Sequence, residues 1–202
     1  MIFVGKVFLV VTTTLLLALP LSAEPNEKKE IQELYRRGLA GDKEAVNQCI
    51  TKLERVLQAE QSNQLARVYL GSAYTLRSRD LGFGRKKLQA LRHGLGLMDQ
   101  AVEAAPEELP VRLARALTTS SLPSIFGRSA SSRKDFETLA KMADSKPGGF
   151  EEGDLQLVYY HAGLAAKAAG DRARADALWR KALTHPADAT LSEQVRANLA
   201  RL

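Results

Sequence analysis

The sequence predicts an all-α protein. After residue 23, apolar residues recur at helical spacing almost everywhere, and no stretch of four or more residues alternates convincingly with the two-residue period of a strand. Glycine and proline residues divide this pattern into short segments. With 202 residues, of which 45% are hydrophobic and 26% charged, the chain has enough apolar material for one globular domain and too much for a disordered tail.

Residues 1–23 differ in composition from the rest and predict a secretory signal peptide. Lys6 supplies a positive charge ahead of the apolar run Val7–Leu19, and small residues precede an expected cleavage site before Glu24. The apolar run is shorter than the roughly 20 residues that cross a bilayer, which favours a cleaved leader over an uncleaved anchor. We therefore expect an exported protein, periplasmic or secreted, whose mature domain is residues 24–202 and has no transmembrane span.

Four segments, taken in order along the chain, show the helical periodicity. In each segment apolar side chains return every three or four residues, so they share one face of a helix and can be buried together. The four faces are Ile31, Leu34, Tyr35 and Leu39; Val46, Ile50, Leu53 and Leu57; Leu88, Leu91, Leu95, Met98 and Val102; and Leu191, Val195, Leu199 and Leu202. Each segment predicts an amphipathic helix that packs against its neighbours.

The ends of the helices are predicted from turn residues. Glycine permits the backbone conformations that tight turns need, and proline cannot continue a helix. Such residues occur at Gly41–Asp42, Gly82–Gly84, Pro106, Pro123, Pro147–Gly149, Gly170–Asp171 and Pro186. Together with the periodicity, they predict about nine helices that are joined mostly by short turns.

The segment from Tyr159 to Pro186 carries the most specific pattern. Small residues stand where two helices would cross, a Gly-Asp pair stands at the turn between them, and a large residue and a proline follow. These positions are Gly163, Ala165, Gly170, Asp171, Ala175, Trp179, Ala182 and Pro186. The pattern resembles the tetratricopeptide repeat (TPR), with one residue fewer before the proline. Its small residues let two antiparallel helices approach closely, and Trp179 fills the space between successive pairs.

Weaker copies of this pattern occur upstream. Gly71 and Gly94 resemble the crossing residues of a unit with about eleven extra residues around its turn. A more degenerate unit runs from about Leu109 to Pro147, and Gly41–Asp42 suggests a first one. The resemblance implies a short superhelix of about four TPR-like antiparallel helix pairs plus a C-terminal capping helix, with one concave face. It also implies a protein that works by docking a partner segment in that face.

A repeated tripeptide is the most unusual local feature of the sequence. Phe83-Gly84-Arg85 recurs 43 residues later as Phe126-Gly127-Arg128, each time in the predicted enlarged turn of a unit. One interpretation is structural: both phenylalanines fold back into the core, and both arginines cap helix ends. The other is functional: two similar turns lie side by side and form a binding edge, since long loops in a compact domain are often functional.

Cations cluster around the first of these turns. Arg77, Arg79, Arg85, Lys86, Lys87 and Arg92 fall within sixteen residues and are opposed only by Asp80. Such a patch can attract an acidic protein surface, a phosphorylated glycan or a lipid headgroup, although exposed cations are commonly just solvated. The candidate partner-binding residues are therefore Phe83, Arg85, Phe126, Arg128, Arg79 and Lys86.

The sequence predicts neither an enzyme nor a cofactor or metal site. The three histidines, His93, His161 and His185, are far apart in sequence, and the single cysteine, Cys49, excludes zinc sites built from several thiolates. There is no Gly-x-Ser-x-Gly nucleophile elbow and no phosphate-binding loop that ends in Lys-Ser or Lys-Thr. Nucleic acid is not expected as a partner either, because the basic stretch lacks an aromatic platform.

We therefore expect a non-catalytic scaffold or adaptor of the bacterial periplasm or cell envelope, with another envelope protein or peptide segment as its partner. The bacterial assignment rests on the frequent use of TPR domains in envelope systems. Two alternatives remain open at this point. One is a soluble receptor that binds an anionic small ligand or envelope polymer through the basic Phe-Gly-Arg turns, and the other is a structural subunit of a larger assembly.

Overall fold

The computed structural model describes residues 25–202, so the predicted leader lies outside the described residues. This part of the chain contains nine α-helices and two short 3₁₀ helices but no strand, which confirms the all-α prediction. The α-helices are α1 (Pro25–Leu39), α2 (Lys43–Ala59), α3 (Gln64–Asp80), α4 (Arg85–Ala104), α5 (Leu109–Ser120), α6 (Ser129–Ser145), α7 (Glu152–Ala168), α8 (Arg172–Leu183) and α9 (Ala189–Leu199). The 3₁₀ helices are Ser124–Phe126 and Pro147–Gly149.

The described part of the chain divides into two compact units, with the boundary between Arg115 and Ala116, inside α5. In the described part of the first unit, α1 packs on α2, α2 on α3, and α3 on α4. In the second unit, α6 packs on α7, α7 on α8, and α8 on α9. Because the turns within each of these two runs of helices are short, the consecutive helices of a run are antiparallel neighbours.

Capping side chains fix the starts of four helices within residues 25–202. In each case a side-chain oxygen of an Asp or Asn residue accepts a hydrogen bond from a backbone N–H in the first turn of the helix. Without the cap, this N–H would lack a partner. The pairs are Asp42 with Ala45, Asn63 with Ala66, Asp171 with Arg174, and Asp188 with Leu191. The break between α2 and α3 was not among the predicted ones, because it contains neither glycine nor proline and is marked by the cap Asn63.

In the first unit, α3 and α4 cross at two glycines. A Cβ atom on Gly71 would lie 2.5 Å from the carbonyl oxygen of Gly94, and a Cβ atom on Gly94 would collide with the carbonyl oxygen of Gly71. The backbones therefore touch directly, as the TPR-like pattern predicts. The extra residues of this unit lengthen the two helices, so that only Leu81–Gly84 connect them.

In the second unit, Trp179 of α8 fills the space beside Gly163 of α7. Trp179 is completely buried, and a Cβ atom on Gly163 would overlap its indole ring. The indole Nε1 donates a hydrogen bond of 3.0 Å to the carbonyl oxygen of Tyr160. The small residue and the large one are thus complementary within one helix pair, α7 and α8, whereas the sequence predicted that Trp179 would fill the space between successive pairs.

A buried glutamine attaches α9 to α7. The side-chain oxygen of Gln156 accepts a hydrogen bond of 2.7 Å from the backbone N–H of Asp188. Its nitrogen donates to the hydroxyl of Ser192 at 2.8 Å and to the carbonyl of Asp188 at 3.1 Å. Every polar atom of this side chain is satisfied, which allows it to be fully buried.

Candidate functional site

The first Phe-Gly-Arg sequence forms the turn between α3 and α4. Gly84 adopts a φ of 144°, which only glycine reaches without strain, and Arg85 is the first residue of α4. Phe83 does not fold back into the core: its side chain is fully exposed. The structural interpretation therefore does not hold for this phenylalanine.

Two cations near this turn have structural contacts. The guanidinium group of Arg79 donates hydrogen bonds to the carbonyl oxygens of Gly38, at 2.8 Å, and Leu39, at 3.3 Å, and so caps the end of α1. It also pairs with Asp80 at 2.8 Å. The Lys87 ammonium lies 3.5 Å from the carbonyl oxygen of Leu81. Arg79, although predicted as a binding residue, thus stabilises the junction of α1 and α3.

Arg85 and Lys86 are different, because both are exposed and neither pairs with a carboxylate within residues 25–202. They lie in the first turn of α4. This first turn contains no acidic residue, and its N-cap, Gly84, offers no side-chain hydrogen bond. A helix N-terminus carries a partial positive charge, so cations there are unfavourable for the isolated helix. These two residues remain available to an external anion.

The second Phe-Gly-Arg sequence is built differently. Phe126 ends a 3₁₀ helix and is half-buried, Gly127 is left-handed with a φ of 68°, and Arg128 directly precedes α6. Arg128 is half-buried and already interacts with other groups of the protein. The most exposed apolar side chain here is Ile125, at 85%, which the sequence analysis missed. Since the two turns belong to different compact units, the edge predicted to contain both stays a prediction.

A partly exposed face of α7 is the second candidate site. Its residues recur with the period of a helix, so they share one side of α7, and they are mostly apolar or aromatic: Leu157, Tyr160, His161, Leu164 and Lys167. The His161 ring stacks on Phe136 at a centroid distance of 4.6 Å and meets the Tyr160 ring edge-on at 5.1 Å. Burial lowers the pKa of His161 to about 4, so the imidazole is neutral at pH 7.

The other potentially reactive side chains of the described residues lie in ordinary structural surroundings. No cluster of His, Cys, Asp or Glu in residues 25–202 is suited to hold a metal ion. Burial raises the pKa of the Cys49 thiol to about 12, which makes it unreactive. His93 packs edge-on against Tyr74 at 4.5 Å, and His185 lies 2.8 Å from the Glu152 carboxylate. Across the same residues, each helix is too short or too polar to traverse a bilayer.

Comparison with known proteins supports the fold. No protein-family model matches the chain, and no curated protein matches it significantly. Among solved structures, the chain is similar to TTC0263, a thermophilic TPR protein in Thermus thermophilus, with a TM-score of 0.60. The similarity covers 85% of this chain and 82% of that chain at 17% identity, so it concerns the fold alone. The chain is an all-helical protein with a TPR-like fold of consecutive packed helix pairs.

Proposed function

We propose that this protein is a non-catalytic protein–protein interaction module, a scaffold or adaptor of the bacterial periplasm or cell envelope. Its partner would be a peptide segment of another envelope protein. The TPR-like fold supports an interaction role, because stacked helix pairs present extended surfaces for partner segments. The single observation that carries the proposal is the partly exposed apolar and aromatic face of α7.

The chemistry of this α7 face suits a peptide. Tyr160 and His161 each combine an apolar ring with a polar edge, and such side chains dominate the binding energy of many interfaces. Because His161 is neutral at pH 7, no buried charge has to be desolvated when a partner covers it. Lys167 lies at the end of the same face, with its ammonium 5.5 Å from the Trp179 ring centre. The face would therefore prefer an apolar segment with a carboxylate near Lys167.

The corresponding face of α3 is closed. The crossing glycines Gly71 of α3 and Gly163 of α7 are equivalent, so each position of α7 has a counterpart on α3. The counterparts of Tyr160, His161 and Leu164 are Val68, Tyr69 and Ser72, which are 0%, 3% and 2% exposed. Tyr35 of α1 covers this region, since its hydroxyl is 2.6 Å from the Ser72 hydroxyl and its ring packs edge-on against Tyr69. The proposed docking face is therefore on α7 and not on α3.

Site-specific photocrosslinking in the source envelope tests this proposal. A photoreactive phenylalanine analogue placed at Leu164 should give one dominant adduct with another protein, identified by mass spectrometry. The matched control is Ala177, an exposed residue on α8, where the analogue should give no such adduct. Adding Tyr160→Ser should abolish the Leu164 adduct while the helical circular dichroism is retained. Equal adducts at Leu164 and Ala177 would contradict the docking face.

A further inference from the structure

The turn between α3 and α4 presents an isolated aromatic side chain at a convex tip. Phe83 is fully exposed and lies between two glycines, Gly82 and Gly84, neither of which has any non-neighbouring atom within 4 Å of the position that a Cβ would take. No concave apolar surface therefore surrounds the ring. Exposing a phenylalanine in this way is unfavourable in water, because its apolar ring remains fully hydrated.

The helix that follows this tip is cationic over its first three turns and contains no acidic residue before Asp99. From Leu81 to Met98 the sequence has no Asp or Glu, while Arg85, Lys86 and Arg92 are exposed. The nearest carboxylate on the neighbouring helix, Asp80, is already paired with Arg79. The exposed cations thus lack internal compensation, and those in the first turn also oppose the helix dipole.

The exposed side of α4 also carries an apolar residue among these cations. Arg85, Leu88 and Arg92 follow one another at spacings of three and four residues, so they share one face of the helix. Leu88 is 47% exposed and, like Phe83, is one of only three large hydrophobic side chains that are exposed within residues 25–202. Long cationic side chains next to exposed apolar ones are typical of helices that lie at a membrane interface.

We propose that the Gly82–Gly84 turn and the first turns of α4 bind peripherally to an anionic lipid bilayer. Phe83 enters the boundary between headgroups and acyl chains, and Arg85, Lys86 and Arg92 contact the lipid phosphates. A bilayer fits better than a folded protein, because a single convex aromatic offers a protein little complementary area, whereas lipids adapt around it. This inference does not depend on the proposed docking face of α7.

The expected strength of binding follows from the charges. Each Lys or Arg close to an anionic membrane strengthens partitioning about fivefold at physiological salt. Removing Arg85 and Lys86 together should therefore weaken partitioning about thirtyfold. Because the attraction is electrostatic, it should also fall when the salt concentration rises.

The test uses the full chain with Phe83→Trp, mixed with vesicles of phosphatidylcholine with or without phosphatidylglycerol. The native tryptophan, Trp179, is completely buried, so an emission change reports on position 83. With phosphatidylglycerol we expect a blue shift and quenching by brominated acyl chains, and with phosphatidylcholine alone neither. Because the signal is local, adsorption through the N-terminal apolar run cannot imitate it.

The charge variants are compared in the same Phe83→Trp background. Arg85→Ala with Lys86→Ala should show the thirtyfold loss, whereas Arg172→Ala with Arg174→Ala, the matched pair in the first turn of α8, should not. Three results would overturn the proposal. These are no quenching in any vesicle, equal quenching with and without phosphatidylglycerol, and an emission change with soluble polyglutamate but not with vesicles. The last result would indicate an acidic protein or polymer as the partner.

Discussion

The pair formed by Gly163 and Trp179 shows how one residue sets the distance between two helices. Trp179 fills the space that a side chain at position 163 would need, and its Nε1 satisfies the carbonyl oxygen of Tyr160. Buried aromatic groups of this kind combine a large apolar area with one polar atom that needs a partner. The absence of a Cβ at position 163 is therefore a packing requirement.

Replacement of Gly163 by alanine should destabilise the protein by about 2 kcal/mol, because the new methyl group overlaps the indole ring. Urea denaturation measures this change in the free energy of unfolding. The matched control is Gly96→Ala in α4, where no atom lies within 4 Å of the new methyl group. That substitution should be neutral or stabilise the helix by up to about 1 kcal/mol. Equal effects at both positions would contradict the packing argument.

The imidazole of His161, which is partly exposed and stacked on Phe136, should make stability depend on pH. Burial holds its pKa at about 4 in the folded protein, against 6.5 for the free side chain, so the unfolded chain binds a proton first as the pH falls. The free energy of unfolding should therefore decrease from pH 6.5 towards pH 4, by at most about 3 kcal/mol from this group.

Asp154 acts in the opposite direction. Burial, with a further contribution from Glu151, raises its pKa to about 6, so its stabilising contribution is present at low pH and lost as the pH rises through 6. Comparing His161→Gln with the wild type isolates the histidine, because both proteins contain Asp154. The wild type should lose stability relative to His161→Gln below pH 6.5, as measured by thermal melting. Parallel melting curves across this range would show that His161 is not the responsible group.

At the scale of helices, single polar side chains decide where an element attaches. The helix α9 is short, and its attachment to α7 includes the hydrogen bonds of Gln156 to Asp188 and Ser192. The buried side of α9 comprises Leu191, Ser192 and Val195. Because such a face buries little apolar area, the polar contacts of Gln156 matter for its position.

Gln156→Leu should release α9 from α7. The substitution leaves the backbone N–H of Asp188 without its partner in a partly buried site, at a cost of about 1 kcal/mol. Hydrogen exchange should accelerate in Ala189–Leu199, and less so in α7 and α8. The control is Gln194→Ala on the exposed side of α9, which should leave the exchange unchanged. Unchanged exchange of α9 in the Gln156 variant would refute this role.

The whole molecule combines an N-terminal apolar segment with a basic helical part. The full chain carries a formal net charge of +6, and removal of residues 1–23 would take away only Lys6 among the charged residues. The processed protein would thus remain basic, which favours association with anionic envelope components. Export itself is an expectation from the sequence, and a direct measurement can test it.

Cleavage of the predicted leader before Glu24 would give the mature protein a defined mass. The protein isolated from the envelope fraction of its source should begin at Glu24, as shown by intact-mass and N-terminal peptide analysis. Replacing the small residue Ala23 by a bulky one such as phenylalanine should block cleavage, because signal peptidases require a small side chain before the cut. A protein that retains Met1, with its leader embedded in the membrane, would instead support an uncleaved anchor.

The sequence alone determined the helical fold, most of its breaks and, through its resemblance to the TPR, the small residues at the helix crossings, Gly163 among them. These features follow from periodicity, turn residues and side-chain size, which are local properties. The break before α3 was not predicted, because it contains neither glycine nor proline and is marked only by the capping Asn63.

Only the tertiary structure decided which side chains remain exposed. Phe83 and Phe126 stand in the same tripeptide, yet one is fully exposed and the other half-buried. Likewise, Arg79 caps α1 while Arg85 faces solvent, and the same repeat position is closed on α3 and partly open on α7. Exposure depends on which elements pack nearby, and that depends on contacts between residues far apart in the chain. No local pattern contains this information.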